Sequence, residues 1–217
     1  MAIYTSKTRI DLEDVGYSNK ITNKAILKIL ENAGARQSET IHFGLNDMEN
    51  VGFSWILLGW KVKILKRPIY NEELTINTWG RESNRIFTYR DYEIYDESGE
   101  LCTIATSKWA IVDINTGKLR ELTPEIIEKY QCETKKVFKE DYTLKLKEPT
   151  TIIRKQEYKA QRRDIDINKH IHNLYYLDYA YEVLPEEVYE APECNNIEIM
   201  YKKQIRLNDE FKCLYTK

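Results

Sequence analysis

Asp164-Ile165-Asp166-Ile167-Asn168-Lys169-His170-Ile171-His172-Asn173 sets two carboxylates, two carboxamides and two imidazoles within ten residues. The whole chain has three histidines, so two of them fall here. Tyr176, Leu177, Ala180, Tyr181 and Leu184 follow at helical spacing, and Pro185 closes the run. The stretch reads as a strand end turning into an apolar helix, with its polar groups gathered at the helix N-terminus. Backbone N–H groups and the positive end of the helix dipole face a ligand at such a place.

A plainer version of this stretch occurs earlier. With Asn23 placed under Asn173, Asp14-Val15-Gly16-Tyr17-Ser18-Asn19-Lys20-Ile21-Thr22-Asn23 aligns with it position by position, and each copy leads into an apolar helix. Farther on, Asn71-Glu72-Glu73-Leu74 corresponds to Asn208-Asp209-Glu210-Phe211, each between two strand-like runs. The halves therefore read as two copies of one helix-plus-sheet unit. They differ where chemistry would sit: Asp166, Asn168, His170 and His172 face Gly16, Ser18, Lys20 and Thr22. A purely structural role would be needed in both copies, so the asymmetry marks function. Asp164, by contrast, has Asp14 as its twin and reads as a cap or an ion-pair partner of Arg162 or Arg163.

Working outward, Tyr4 to Asp11 is a strand. A helix follows from about Lys20, with Ile21, Ala25, Ile26, Ile29, Leu30 and Ala33 on one face and Gly34 and Gly44 punctuating its end. Trp60, Val62 and Ile64 alternate with Lys61, Lys63 and Lys66 in the strand within Trp55 to Leu65. Leu74 to Trp79, Ile86 to Tyr95 and Leu101 to Val112 make three more strands, the last two joined by a turn at Asp96-Glu97-Ser98-Gly99. Thr123 and Pro124 start a short helix over Glu125 to Tyr130. Residues 1–134 are thus one unit, 135–151 a charged connector, and 152–217 a second unit. The second copy has a single strand after Asn208, so this unit reads as short at its C-terminus, with an open sheet edge that calls for a partner and suggests a homodimer.

The chain has 217 residues, 42% hydrophobic and 31% charged, with a formal net charge of −2. That balance gives no global field to draw nucleic acid or a membrane surface. No apolar run approaches the ~20 residues of a membrane span. Cys102, Cys132, Cys194 and Cys213 are widely spaced and no signal peptide precedes the first unit, which points to reduced thiols in a cytoplasm. No fourth ligand stands at helical or strand spacing beside Asp166, Asn168 and His170, so no metal is expected, and no other cofactor. Gly52-Phe53-Ser54-Trp55 lacks the second glycine of a nucleophile elbow, which argues against a serine hydrolase. His42 reads as structural.

A long helix wrapped by an antiparallel sheet, present twice, suggests an α+β tandem (double) hotdog fold. Asp166-x-Asn168-x-His170-x-x-Asn173 with Tyr176 resembles the signature of the acyl–acyl carrier protein thioesterases, the plant FatA and FatB enzymes and their bacterial relatives. Glu72 to Trp79, Arg90 to Asp96 and Ser107-Lys108-Trp109 look like strands of the same family, and the resemblance runs from about Tyr4 to Tyr215. It implies hydrolysis of fatty acyl thioesters held on acyl carrier protein. It further implies that the second unit carries the catalytic groups and the first shapes the acyl pocket. Asp166, Asn168 and His170 match the family's catalytic residues, while Gln204 stands where the family has an acid and Ile205 where plant members have a cysteine. His172, Asn173 and Tyr176 are the implied substrate-binding neighbours, with His172 in place of an asparagine.

The residue types suit thioester hydrolysis. A carboxylate at Asp166 can polarise water or attack directly. The Asn168 amide can hold the carboxylate or the thioester oxygen, and His170 can exchange a proton near neutral pH. Backbone N–H groups at the start of the following helix are candidate oxyanion donors. Gln204 can orient water but cannot act as a base. Trp55, Ile56, Leu57 and Leu58, with Ile26, Leu27 and Leu30, suit an acyl tail, and Arg162, Arg163, Lys202 and Lys203 suit an acidic carrier. Two alternatives remain at this level: a hotdog acyl-CoA thioesterase, and a non-catalytic acyl-binding protein.

Overall fold

The computed structural model describes residues 3–81, 84–140, 146–148, 150–189 and 194–216. In chain order its elements are β1 (Tyr4–Arg9), α1 (Asn23–Thr40), the single turn α2 (Met48–Val51), β2 (Phe53–Ile64), β3 (Glu73–Gly80), β4 (Thr88–Tyr95), β5 (Leu101–Asp113), β6 (Leu119–Arg120), α3 (Pro124–Tyr130), β7 (Arg154–Lys159), α4 (Tyr175–Glu182), α5 (Glu186–Tyr189), β8 (Asn196–Met200) and β9 (Glu210–Tyr215). Two compact units result: Met1–Leu144 with Asn195–Met200, and Lys145–Cys194 with Tyr201–Lys217.

The first unit is a seven-stranded antiparallel sheet in the order β1-β3-β4-β5-β2-β8, with β6 paired to β5. The helix α1 packs on β1 and β3 and buries Ala25, Ile26, Leu27, Ile29, Leu30 and Ala33. From the sheet, Trp60, Val62, Leu74, Ile76, Trp79, Tyr92 and Ile94 are closed off from water. Each large apolar side chain buried this way is worth about 1.5–3 kcal/mol. A long helix laid on an antiparallel sheet is the hotdog arrangement expected from the sequence.

The end of α1 differs from expectation. Gly34 lies inside the helix, where a Cβ would stand 2.9 Å from the Tyr92 hydroxyl and 3.2 Å from Arg90 Cδ. Glycine is there for the close approach of helix to β4, not as a stop. The helix ends instead with His42 in the left-handed region, φ 59°. The Phe43 N–H donates to the Ser38 carbonyl and the His42 N–H to the Glu39 carbonyl, a paired C-terminal cap usually built on glycine. His42 is therefore structural, as read from the sequence.

Residues at the start of the expected connector are tied to the first sheet. The Trp79 indole N–H donates to the Lys135 carbonyl at 3.0 Å, Lys135 pairs with Glu93 at 2.7 Å, and the Val137 N–H donates to the buried Asp91 carboxylate at 3.0 Å. Residues 141–145 and 149 of that connector lie outside the described residues.

In the second unit β7 and β9 form a two-stranded antiparallel sheet, with Tyr158 opposite Phe211. Tyr179 of α4 closes a triangle with them, its ring centroid 4.8 Å from each. The helix α4 has eight residues against eighteen in α1. Leu177 is its buried apolar side chain, with Leu174 and Val183 buried just beyond its two ends, while Ala180 of the expected face is exposed. Cys102 is buried and Cys194 exposed, and no helix among the described residues is long and apolar enough to cross a membrane.

Candidate active site

The loop from Arg162 to Leu174 is built on the same backbone as the loop from Leu12 to Lys24. In each, a single turn of 3-10 helix ends on a buried aspartate, Asp14 or Asp164. That carboxylate accepts the N–H of the residue three before it, Asp11 at 3.1 Å or Gln161 at 2.7 Å. Next comes a tight turn. The Gly16 N–H donates to the Lys20 carbonyl and the Asn19 N–H to the Gly16 carbonyl; the Asp166 N–H donates to the His170 carbonyl and the Lys169 N–H to the Asp166 carbonyl. Asn19 and Lys169 both sit in the left-handed region, at φ 59° and 64°. Val15 bridges Ile21 as Ile165 bridges Ile171. The second matched stretch behaves alike: Asn71 and Asn208 lie at φ 71° and 70° and donate to the Ile10 and Ala160 carbonyls.

On this common frame the second copy adds side chains. Asp166 is half-buried, and its Oδ1 accepts the N–H of Asn168 at 2.8 Å and of His170 at 3.4 Å. Gly16 makes the same turn without a carboxylate, so the turn does not require Asp166. Two N–H donors fix one carboxylate oxygen and leave Oδ2 with no hydrogen-bond partner among the described residues. Asn168 is exposed and His170 half-buried. Neither side chain is hydrogen-bonded to a described residue.

The loop also gathers the segment that carries Gln204. The Ile171 N–H donates to the Ile205 carbonyl at 2.8 Å and His170 bridges Arg206. From α4 the Tyr176 hydroxyl reaches the Lys203 carbonyl at 3.5 Å. Burial pushes this hydroxyl above the usual phenol range, the Ile205 N–H opposes the shift, and the Asp166 charge adds to it. Gln204 itself is exposed between Lys203 and Ile205. Asn173 offers its carbonyl to the Tyr201 hydroxyl at 3.3 Å, and the Tyr201 ring stands 5.8 Å from that of Tyr176. Tyr201 thus packs on Tyr176 beside the site.

Two expected roles change. His172 stands where Thr22 stands but does not cap its helix: the Leu174 N–H, two residues on, donates to His172 Nδ1 at 3.3 Å and α4 starts at Tyr175 without a side-chain cap, whereas the Ala25 N–H donates to the Thr22 Oγ1 cap of α1 at 3.1 Å. Two backbone N–H groups offered as oxyanion donors are taken, Leu174 by the His172 imidazole and Tyr175 by the His172 carbonyl. Asp164 is structural, as expected. It receives the Tyr179 hydroxyl at 2.6 Å, and burial followed by this bond holds that hydroxyl well above the usual phenol range.

Comparison with known proteins gives a family on both sides of the repeat. Residues 1–130 match the model of the acyl-ACP thioesterase N-terminal domain and residues 147–217 that of the C-terminal domain. Oleoyl-acyl carrier protein thioesterase 1, chloroplastic, of Arabidopsis thaliana is 24% identical over 98% of the chain, which spans 63% of that relative's length. Among solved structures, the 12:0-ACP thioesterase of Umbellularia californica superposes with a TM-score of 0.88 at 19% identity, over 100% of this chain and 88% of that one. An acyl-ACP thioesterase of Bacteroides thetaiotaomicron gives 0.84 at 22% identity, over 96% and 84%.

Proposed function

The chain belongs to the acyl-ACP thioesterase family, and from that premise we propose that it hydrolyses the thioester of fatty acyl–acyl carrier protein and releases the free fatty acid during fatty acid biosynthesis. One observation carries the assignment of the chemistry to the second unit. The two copies share a loop backbone, and Asp166, Asn168 and His170 are present on one alone. The first unit takes the acyl tail. Of the apolar side chains suited to it, Ile26, Leu27 and Leu30 are closed in the core, while Trp55, Ile56 and Leu58 are partly exposed.

In this reading Asp166 Oδ1 is held by two N–H groups and Oδ2 meets the attacking water or the thioester carbonyl carbon. Fixing one oxygen aims the other before substrate arrives, which removes an orientational cost from the barrier. The Asn168 amide donates to the thioester oxygen as negative charge develops there. The His170 imidazole takes a proton from water and returns one to the leaving thiolate. Gln204 orients water through its amide. Tyr176 holds the 203–205 segment in reach, and His172 and Asn173 shape the helix start beside it. The acidic carrier lands on Arg162, Arg163, Lys202 and Lys203; Lys202 is paired with Glu148 and the other three are exposed. The protein works as a homodimer in the cytoplasm.

Turnover of acyl-carrier substrates across chain lengths, beside matched acyl-CoA substrates, tests the proposal. Release of fatty acid from the carrier form at a higher kcat/KM supports it. Equal or better use of acyl-CoA makes the protein an acyl-CoA thioesterase. Saturable acyl binding without free acid makes it a binding protein, the reading that Gln204 in place of an acid favours.

A further inference from the structure

Gln204 has a twin of its own. The Ile171 N–H donates to the Ile205 carbonyl at 2.8 Å as the Ile21 N–H donates to the Pro68 carbonyl at 2.9 Å. Arg206 bridges His170 as Ile69 bridges Lys20. The Asp209 N–H donates to the Arg206 carbonyl at 3.0 Å as the Glu72 N–H donates to the Ile69 carbonyl at 3.3 Å. This register sets Gln204 on the backbone position of Arg67, one residue before the matched pair Ile205 and Pro68.

Arg67 shows where a long side chain from that position goes. Its Nη1 donates to the Ile21 carbonyl at 2.8 Å and its Nη2 to Asn23 Oδ1 at 2.7 Å. Asn23 is the twin of Asn173; it begins α1 and is 7% exposed. The first copy thus commits its helix-start carboxamide to a charged donor, a hydrogen bond of the stronger kind. The second copy lacks this tie. Gln204 is shorter and neutral, and it is exposed. Neither its side chain nor the Asn173 carboxamide is hydrogen-bonded to a described residue. Asn173 is half-buried, three residues beyond His170. The Leu174 and Tyr175 N–H groups beside it are taken, so its amide joins that of Asn168 as an uncommitted donor on the loop.

We infer that residue 204 decides what the asparagine at the helix start does, and that Gln204 leaves the Asn173 amide free to donate to the thioester oxygen. Arg67 makes the same asparagine a structural anchor in the first copy. This rests on the reading that the second unit hydrolyses the thioester. Negative charge grows on that oxygen only as the reaction proceeds, so losing the amide lowers kcat rather than raising KM.

Gln204→Arg copies the first unit's tie and tests the inference. Thermal melts and acyl-carrier hydrolysis are read for Gln204→Arg, Gln204→Met and Asn173→Ala, and for each position-204 variant combined with Asn173→Ala (Asn173→Ser takes its place should the alanine variant not fold). Gln204→Arg should raise the melt by roughly 2–4 °C, and Asn173→Ala should remove at least half of that gain. Gln204→Met loses the amide without offering a donor to Asn173. Gln204→Arg should lower kcat about tenfold further than Gln204→Met does, with KM little changed. In the Asn173→Ala background the two position-204 variants should turn over equally. An extra loss for Gln204→Arg that persists in that background shows its charge acting elsewhere and overturns the inference. A melt gain undiminished by Asn173→Ala, or Asn173→Ala with the kcat of the wild type, also overturns it. A wild type that releases no acid overturns the hydrolase reading and with it the donor role, while the melts still decide the tie.

Discussion

The loops at Asp14–Asn23 and Asp164–Asn173 have one backbone and two purposes. Their bridges, turn hydrogen bonds and left-handed residues match one for one. What varies is the set of side chains mounted on them: Gly16, Ser18 and Lys20 in one, Asp166, Asn168 and His170 in the other. The first loop shows what the frame needs in order to fold. Subtracting it from the second leaves the groups the frame does not need. Such an internal control is rarely present in a single chain, and it separates Asp164, which has a twin, from Asp166, which has none.

The largest expected effect comes from removing what the second copy adds. Asp166→Asn should lower kcat/KM for acyl-carrier hydrolysis by about 10²–10⁴-fold with an unchanged thermal melt, and Gly16→Asp in the first copy should alter neither. Turnover near wild type in the first variant would break the comparison. Next come the twins. Asp14→Ala and Asp164→Ala each strand buried donors and should lower stability by about 1–3 kcal/mol in urea titrations. A loss confined to one of them would show that the two frames are not equivalent.

The helix starts give a smaller signal. Thr22→Ala should cost about 1 kcal/mol, while His172→Thr, which puts the first copy's residue into the second loop, should leave the melt unchanged and hydrolysis within a few fold. If that substitution abolishes hydrolysis with folding intact, His172 belongs to the chemistry. The smallest effect sharpens the backbone match. Lys169→Asn copies the left-handed residue of the first loop and should stabilise by up to about 1 kcal/mol, measured by the same titration.

Much of this was legible because it is local. The turn at Asp166, the Thr123 cap with Pro124, and the alternation of Trp60, Val62 and Ile64 each depend on neighbours a few residues away, and the repeat doubled the signal for the loop. The exceptions depend on distant partners. Gly34 looked like a helix stop, and its reason lies on β4, in the Tyr92 hydroxyl and Arg90 that press against it. Ala180 keeps helical spacing, yet no strand among the described residues covers it. Arg90 looked like an ordinary strand residue, and its partners Gln37, Thr78 and Tyr130 come from α1, β3 and α3. For the candidate site, residue types and spacing gave the polar cluster. Only the folded chain shows Asp166 Oδ1 tied down, His172 bonded to the Leu174 N–H, and Tyr201 packed on Tyr176.

One pairing bears on how the protein comes off the ribosome. Strand β8 lies on β2, with Lys63 opposite Asn196, although roughly 130 positions separate them, some ten seconds of synthesis at about 5–20 residues per second. Until then the Gly59–Lys63 stretch of β2, with Trp60 and Val62, emerges as a bare edge. The nascent first unit is thus a natural client for a holding chaperone, and a stop codon placed before Asn196 would yield an aggregation-prone fragment rather than a small soluble domain.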